Sequence, residues 1–362
     1  MSMPLPSLRS GLSKNTETKS KCSISPTGAR TLAHEWAPFM RRTSLYLLFF
    51  IFMTGCSRPL LFKEARILMD TFVEISCFSS DRETAREAIQ DAFKEIERIE
   101  KVFSKFDEKS EVSMVNRLAP LGEVNITREL FEVISRSIYY SELTEGSFDI
   151  TVAPIIDIWN LAREKGSIPD HETIIEALKH TGYKNIAMDE NSSTIRFLDK
   201  LMKIDLGGIA KGYAVDRAKD IILSREIESG LINIGGNMFA VGSPRGKESW
   251  SIGIQHPRDK KNIIYKIDLK DRAVSTSGDY ERFFTLNGRR FSHIINPIAG
   301  RPAEGVVSVT VVADSAEEAD ALSTAVFVMG VEKGLRFIRS LGNIEAFIFD
   351  QELNLVKSTS SP

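Results

Sequence analysis

Asp314-Ser-Ala-Glu-Glu-Ala-Asp-Ala-Leu-Ser-Thr-Ala325, near the C-terminal end of the chain, sets one carboxylate and two hydroxyls at helical spacing. Residues three and four apart share a helical face, so Asp320, Ser323 and Thr324 stand together. That is a hard, all-oxygen set. It suits Mg²⁺ or Ca²⁺ better than zinc, and does not separate Mg²⁺ from Mn²⁺. Ser315 with Glu318 three residues later reads as a capping box, which fixes the register of the face. The same residues could equally form a solvated surface, and the remaining motifs weigh against that.

In Ile204-Asp-Leu-Gly-Gly-Ile-Ala-Lys-Gly-Tyr-Ala214 a strand ends in Asp205, two glycines follow and a helix opens. The glycines allow close backbone approach, a helix start offers free N–H groups to an anion, and Lys211 adds charge. The spacing is neither that of a Walker loop nor of GxGxxG, and a plain strand–turn–helix joint is the alternative. Asn233-Ile-Gly-Gly-Asn237 reads as a strand interrupted by a bulge or a close backbone neighbour. Ala273-Val-Ser-Thr-Ser-Gly-Asp-Tyr280 places hydroxyls before Gly278-Asp279. Ser292-His-Ile-Ile-Asn-Pro297 offers His293 beside a loop signal, where functional side chains are favoured. Gly146-Ser-Phe-Asp-Ile-Thr-Val-Ala-Pro154 and Phe103-Ser-Lys-Phe-Asp107 mix aromatics with polar groups, as a planar ring site needs, or as loops on a core do.

The elements that must position these groups follow from periodicity. Ile67 to Phe78 reads as a strand. Asp81 caps a helix from Arg82 to about Phe103, with Ala85, Ala88, Ile89, Ala92, Phe93, Ile96, Ile99, Val102 and Phe103 as its apolar stripe. Further helices fall near Thr127–Glu142, His171–Lys179 and Ala210–Ser224. Strands are expected at Ile186–Met188, Thr194–Phe197, Met202–Asp205, Leu231–Val241, Ser251–Gln255, Ile263–Leu269, Ala273–Ser277, Glu281–Leu286, Val306–Ala313 and Ala346–Asp350. The helices Ser315–Met329 and Val331–Leu341 are stopped by Gly330 and Gly342. Strand runs beside segregated helices argue α+β with mostly antiparallel sheets.

A net charge of −2 gives no basic excess, and so no sign of a nucleic-acid partner. Residues 1–39 are polar and without periodicity, and read as a disordered or untranslated leader, with Met40 as the expected true start. Arg41-Arg42, the apolar run Leu45–Met53 and Thr54-Gly55 before Cys56 then form a signal peptide over about 40–55. The cysteine after small residues looks like a lipobox, with cleavage before Cys56 and lipidation of its thiol. Residues 56–65 are expected as a tether and 66–362 as a single catalytic domain of two lobes. Cys22 and Cys56 leave Cys77 without an intramolecular partner, so no disulfide framework is expected.

The ordered set Met69-Asp-Thr, Phe103-Ser-Lys-Phe106, Gly146–Pro154, Asp205–Gly212, Asn233–Asn237, Ser275–Tyr280, His293–Pro297 and Asp320–Ala325 resembles the ApbE family over nearly all of residues 66–350. The resemblance implies an ApbE-like, T-fold-like domain and a Mg²⁺-dependent reaction. FMN is transferred from FAD to a threonine hydroxyl of an acceptor protein, a phosphoester forms and AMP leaves. It implies FAD contacts at Met69, Phe106 (Tyr in many relatives), Ser147, Phe148, Asp149, Asp205, Lys211 and Val274. It implies metal ligands at the Gly208 carbonyl, Asp320, Ser323 and Thr324. Transfer needs a base for the hydroxyl proton; His293 is the candidate, because an ordinary imidazole titrates near neutrality, and Asp279 is the runner-up. Implied partners are a membrane redox-complex subunit or exported flavoprotein with a Ser/Thr-Gly-Ala-Thr-like motif, and a membrane holding the lipid. The expected address is the bacterial envelope, facing the periplasm, at the inner rather than the outer membrane. The competing readings are an FAD pyrophosphatase using water, and a lipid-anchored flavin-binding protein without catalysis.

Overall fold

The computed structural model describes residues 58–358, the side chain of Lys260 excepted. The signal peptide and Cys56 lie outside the described residues. Among the described residues seven α-helices and seventeen strands are formed, numbered here along the chain. An eight-stranded sheet carries β1 (Leu60–Leu68), β2 (Thr71–Ser79), β6 (Gly230–Ile234), β7 (Asn237–Val241), β10 (Arg272–Gly278), β15 (Val306–Ala313), β16 (Glu345–Asp350) and β17 (Leu355–Lys357), in that spatial order. Every neighbouring pair in it is antiparallel. The fold is α+β.

One face of the sheet is packed by α1 (Arg82–Phe103), α6 (Ala210–Ser224) and α7 (Ala316–Leu341). Asp81 caps α1 by accepting from the Thr84 N–H at 3.0 Å, and the apolar stripe read from the sequence is buried except for Val102, which is half-buried. Ser315 caps α7 through the Glu318 N–H at 3.2 Å. The opposite face is covered by the hairpin of β8 (Trp250–His256) and β9 (Asp259–Leu269), around Ile252, Ile267, Val274, Val312 and Phe347. A separate lobe packs α4 (Ala153–Lys165) and α5 (His171–Lys179) on the hairpin of β11 (Phe283–Leu286) and β12 (Arg289–Ser292). Trp159 anchors that lobe, donating its indole N–H to the Gly300 carbonyl at 2.9 Å. This holds the His293–Gly300 loop. The remaining elements are α2 (Glu111–Leu118), α3 (Arg128–Leu143), the small sheet of β3 (Val124–Asn125), β4 (Ile186–Asp189) and β5 (Thr194–Phe197), and the pair β13 (Ile295–Asn296) and β14 (Arg301–Pro302).

Several expectations are corrected. Leu60–Ala65 is not a tether but most of edge strand β1, paired with Glu74–Ser79. Its inward residues are Phe62 and the charged Glu64 and Arg66, held by Gln90 and Glu97, so apolar alternation is weak there. Met202–Asp205 forms no strand; Asn116 bonds both backbone groups of Ile204, and the Ile150 carbonyl accepts from Asp205 N–H. Leu231–Val241 is a hairpin, β6–β7. Gly235 and Gly236 take positive φ as its two-residue turn, between the paired Ile234 and Asn237. Gly330 kinks α7 at φ 79°. Helices α2 and α4 have no counterpart in the expectations. Cys77 is a buried thiol, free among the described residues.

Candidate active site

The site is built where α6 crosses α7. A Cβ at Gly212 would stand 2.2 Å from the Ala316 carbonyl oxygen, so only glycine lets the two backbones meet. At the crossing Asp216 of α6 accepts from the Ala316 and Glu317 N–H groups, at 3.1 and 2.9 Å. One turn further along α7, Asp320 Oδ2 accepts from the Gly212 N–H at 2.9 Å. Ahead of α6, Gly208 lies against Phe148 and Thr324: a Cβ there would be 3.1 Å from the Phe148 ring and 3.5 Å from Thr324 Oγ1. The glycine turn and the oxygen-bearing helix face, far apart in sequence, meet.

Strand β10 closes this cluster from the sheet. Ser277 Oγ is 2.8 Å from Ser323 Oγ and 3.4 Å from Thr324 Oγ1. Ser275 Oγ is 3.3 Å from Ser323 Oγ, 3.5 Å from Asp320 Oδ1, and hydrogen-bonded to Asn237 Oδ1. Asp320, Ser323, Ser275 and Asn237 are all buried. Burial pushes the Asp320 carboxyl up, opposed by Lys211, the Gly212 N–H, Asn237 and Ser275. Asn237 Nδ2 is a buried donor with no well-aligned acceptor among the described residues. So much buried oxygen around one carboxylate carries a desolvation cost that the local hydrogen bonds only partly offset.

Asp205 precedes the turn as expected, but it is already engaged. Its Oδ1 accepts from the Gly207 N–H at 2.7 Å, and Oδ2 lies 2.7 Å from Lys105 Nζ. That lysine contact is an ion pair off the line of a hydrogen bond, since Nζ has no aligned acceptor. Lys211 lies close enough to act on both Asp320 and His293, and has no ion-pair partner among the described residues. His293 donates or accepts through Nδ1 at 2.8 Å from the Arg282 carbonyl. A carbonyl only accepts, so Nδ1 carries the proton and Nε2 is left with its lone pair. One edge of the ring is open, while protein packs closely around the rest. That burial, with the Lys211 and Arg282 charges, pushes the imidazole down to about 4; the Arg282 carbonyl and Asp205 act the other way.

The tip of the β1–β2 hairpin reaches the same region. Met69 and Asp70 both adopt positive φ, 52° and 55°, in a two-residue turn where glycine or asparagine is usual. The Met69 N–H is held by Glu100 Oε1 at 2.9 Å, Arg282 donates to the Asp70 carbonyl at 3.4 Å, and Thr71 lies against Gly235. Backbone strain of this kind is retained where the surroundings over-determine it.

Other expected residues do not join the cluster. Asp279 is no free base: Arg258 binds its carboxylate through both terminal nitrogens, at 2.6 and 2.7 Å, in a separate cleft. Val274 is buried on the hairpin face of the sheet, because alternation along β10 sends its side chain away from Ser275 and Ser277. Only its backbone remains for an FAD contact. Asp149 is a cap; Thr151 and the Tyr183 N–H use both its oxygens, and burial pushes its carboxyl up. Ser147 is buried beside it, and Phe106 is 77% exposed, with Lys105 Nζ 5.2 Å from its ring. Ser277, Lys105 and Arg282 were assigned no role from the sequence, and Asn237 reads there as either a polar ligand contact or a turn residue. Period-two alternation in Ser275-Thr-Ser277 was the available signal for the serines; nothing local marks Lys105 or Arg282.

The residues fit a divalent cation. The donors are all oxygen, Asp320 is a buried carboxylate, and Gly208 leaves room beside Thr324 that a side chain would fill. No group of three His, Cys, Asp or Glu side chains among the described residues is disposed to hold a metal. An antiparallel sheet backed by helices, with a site gathering a carboxylate, hydroxyls, lysines and a neutral imidazole, is the make-up of an α+β enzyme. The profile of the ApbE family matches residues 69–348. The FAD:protein FMN transferase of Treponema pallidum is 29% identical, over 82% of this chain and 86% of that one. The crystal structure of the ApbE protein of Thermotoga maritima superposes with a TM-score of 0.77 at 37% identity, covering 82% of this chain and 97% of that one. The flavin transferase ApbE of Vibrio cholerae superposes with a TM-score of 0.73 at 27% identity, covering 84% and 98%. The chain belongs to the ApbE family.

Proposed function

We propose that the protein is an FAD:protein FMN transferase that moves FMN from FAD to a threonine hydroxyl of an acceptor protein, with Mg²⁺, and releases AMP. The observation that carries this reading is the meeting of the two distant motifs: Gly212 N–H on Asp320 Oδ2 at 2.9 Å, with Gly208 beside Thr324. Asp320, Ser323, Thr324 and the Gly208 carbonyl would hold the cation. When bound, it neutralises charge on the pyrophosphate as the leaving oxygen departs.

The chain's own groups do the rest. Lys211, the glycine turn and the start of α6 bind the FAD phosphates. Phe148 and the Met69 tip border the flavin. His293 Nε2 takes the threonine proton; the threonine oxygen bonds to the FMN phosphorus, and the bond from that phosphorus to the bridging oxygen breaks. The electron pair leaves with AMP. A depressed imidazole is neutral at neutral pH and so ready to accept. Phosphate charge arriving beside Lys211 opposes one of the charges holding His293 down, and thereby strengthens the base.

The proposed setting is the periplasmic side of an envelope membrane, the inner one, with Cys56 lipidated and an electron-transport flavoprotein as acceptor. Mass spectrometry of the mature N-terminus tests the anchor; an unmodified peptide running through Ser57 contradicts it. Purified protein, FAD, Mg²⁺ and acceptor test the reaction. The expected result is an acceptor mass gain with in-gel flavin fluorescence. Rapid FMN and AMP release without acceptor would mean hydrolysis instead.

A further inference from the structure

Asp279, displaced from the role of base, organises a second site. A cleft of about 380 Å³ is lined by Arg258, Asp279, Arg289, Arg290, Ser292 and Glu304, among others. Arg258 clamps Asp279, and Arg289 pairs with Glu304 at 2.5 Å. Arg290 is different. Its nearest carboxylate, Asp279, is 3.8 Å away; it donates to the Asp279 carbonyl at 3.0 Å and lies 3.7 Å over the Phe283 ring. Three guanidiniums against two carboxylates leave the cleft with one positive charge in excess. Each guanidinium carries five N–H donors, and here each uses only one or two. Phe283 is 51% exposed, so an arginine stacked on an open aromatic stands at the rim, and arginine is among the residue types enriched at the energetic centre of interfaces.

The cleft adjoins the chemistry along the chain: Ser292 immediately precedes His293, and Asp279 follows Ser277 by two residues. We propose that this cleft seats an acidic segment of the acceptor protein, beside the hydroxyl that is modified. The inference rests on the transfer reading. The two carboxylates among the arginines disfavour a multiply charged phosphate and suit the single charges of Asp or Glu side chains, which a guanidinium fork binds bidentately. Lys211 and the glycine turn already serve the nucleotide. Arg290 therefore selects the partner, and its charge steers encounter without touching the reaction.

The test uses the full chain and a fluorescein-labelled peptide with a threonine flanked by aspartates, against the same peptide with lysines in their place. Fluorescence anisotropy is expected to show the aspartyl peptide binding at least about tenfold more tightly, weakening with salt. Arg290→Glu should abolish that preference and Arg290→Met reduce it, with FAD binding unchanged in both as the sign of an intact fold. Equal binding of the two peptides overturns the proposal. So does displacement of the aspartyl peptide by AMP together with weakened FAD binding in Arg290→Glu, which would make the cleft a nucleotide subsite. Failure of the transfer reading shows separately, as no acceptor mass gain with the unaltered chain, because the anisotropy reads the cleft without any reaction.

Discussion

The two faces of strand β10 carry opposite demands. On the helix side Ser275 and Ser277 meet Ser323, Thr324 and Asp320, polar groups buried together around one carboxylate. On the hairpin side Val274 joins Ala240, Val312 and Phe347 in an apolar layer. One strand, seven residues long, thus serves binding with one set of side chains and stability with the other. Buried polar groups cost free energy unless they are matched, whereas buried methyl groups contribute it. The serines on the helix side of β10 are the part of that strand held against its own stability, which is how a binding site differs from a core.

That contrast can be broken by substitution. His293→Ala, near Lys211, should lower transfer by ~10²–10⁴-fold while FAD binding persists. A normal flavinylation rate would place the base elsewhere. In the free enzyme His293 is held at about 4, so the base is neutral above that and kcat/KM should fall only as pH drops through about 4. The acid limb of kcat, which reports the FAD complex, should lie at higher pH. For stability the sign is set by the unfolded chain, which takes up this proton near 6.5. The residue's contribution is full above 6.5 and is lost as pH falls from there toward 4.

Asp320→Asn should cost about 100-fold or more in the Mg²⁺ requirement, with a melting temperature unchanged or raised, since a buried charge is removed. Unchanged activity across a Mg²⁺ titration would take Asp320 out of the site. Gly212→Ala should strike both functions at once. Its methyl would overlap the Ala316 carbonyl, costing about 1–3 kcal/mol and displacing Asp320, read as a lower melting temperature and a higher Mg²⁺ requirement. Val274→Ala should do the reverse of Asp320→Asn: about 1–3 kcal/mol of stability lost by chemical denaturation, with transfer per folded molecule unaltered. A rate loss there would mean that the two faces are not separable.

Much of this was legible in the chain. Strong period marked α1, and Ser315 with Glu318 marked the start of α7, so the face carrying Asp320, Ser323 and Thr324 could be read directly. The glycines at 207 and 208 pointed to close approach, though not to which helix approached, and Gly212, where the two backbones meet, carried no such signal. What stayed hidden has physical reasons. The inward side of β1 is partly charged and pairs with α1, so it lacks the apolar alternation of a strand. Pro154 opens α4, whose buried residues Ile155, Trp159 and Ala162 follow a motif already read as a ligand loop. The Gly235-Gly236 pair marked a break in a strand but not the reversal it makes. Asp279 looked like a base because sequence does not reveal its partner, and Arg258 is held there only by the fold. Val274 was assigned to FAD by resemblance, although alternation from Ser275 already turned its side chain the other way.

Crystals grown with FAD and Mn²⁺ in place of Mg²⁺, with anomalous scattering recorded, test the central claim most directly. The account predicts one strong peak about 2.1–2.3 Å from a carboxylate oxygen of Asp320 and from the Gly208 carbonyl, touching the FAD pyrophosphate. A pyrophosphate bound away from the crossing of α6 and α7, or a metal that contacts neither residue, would contradict it.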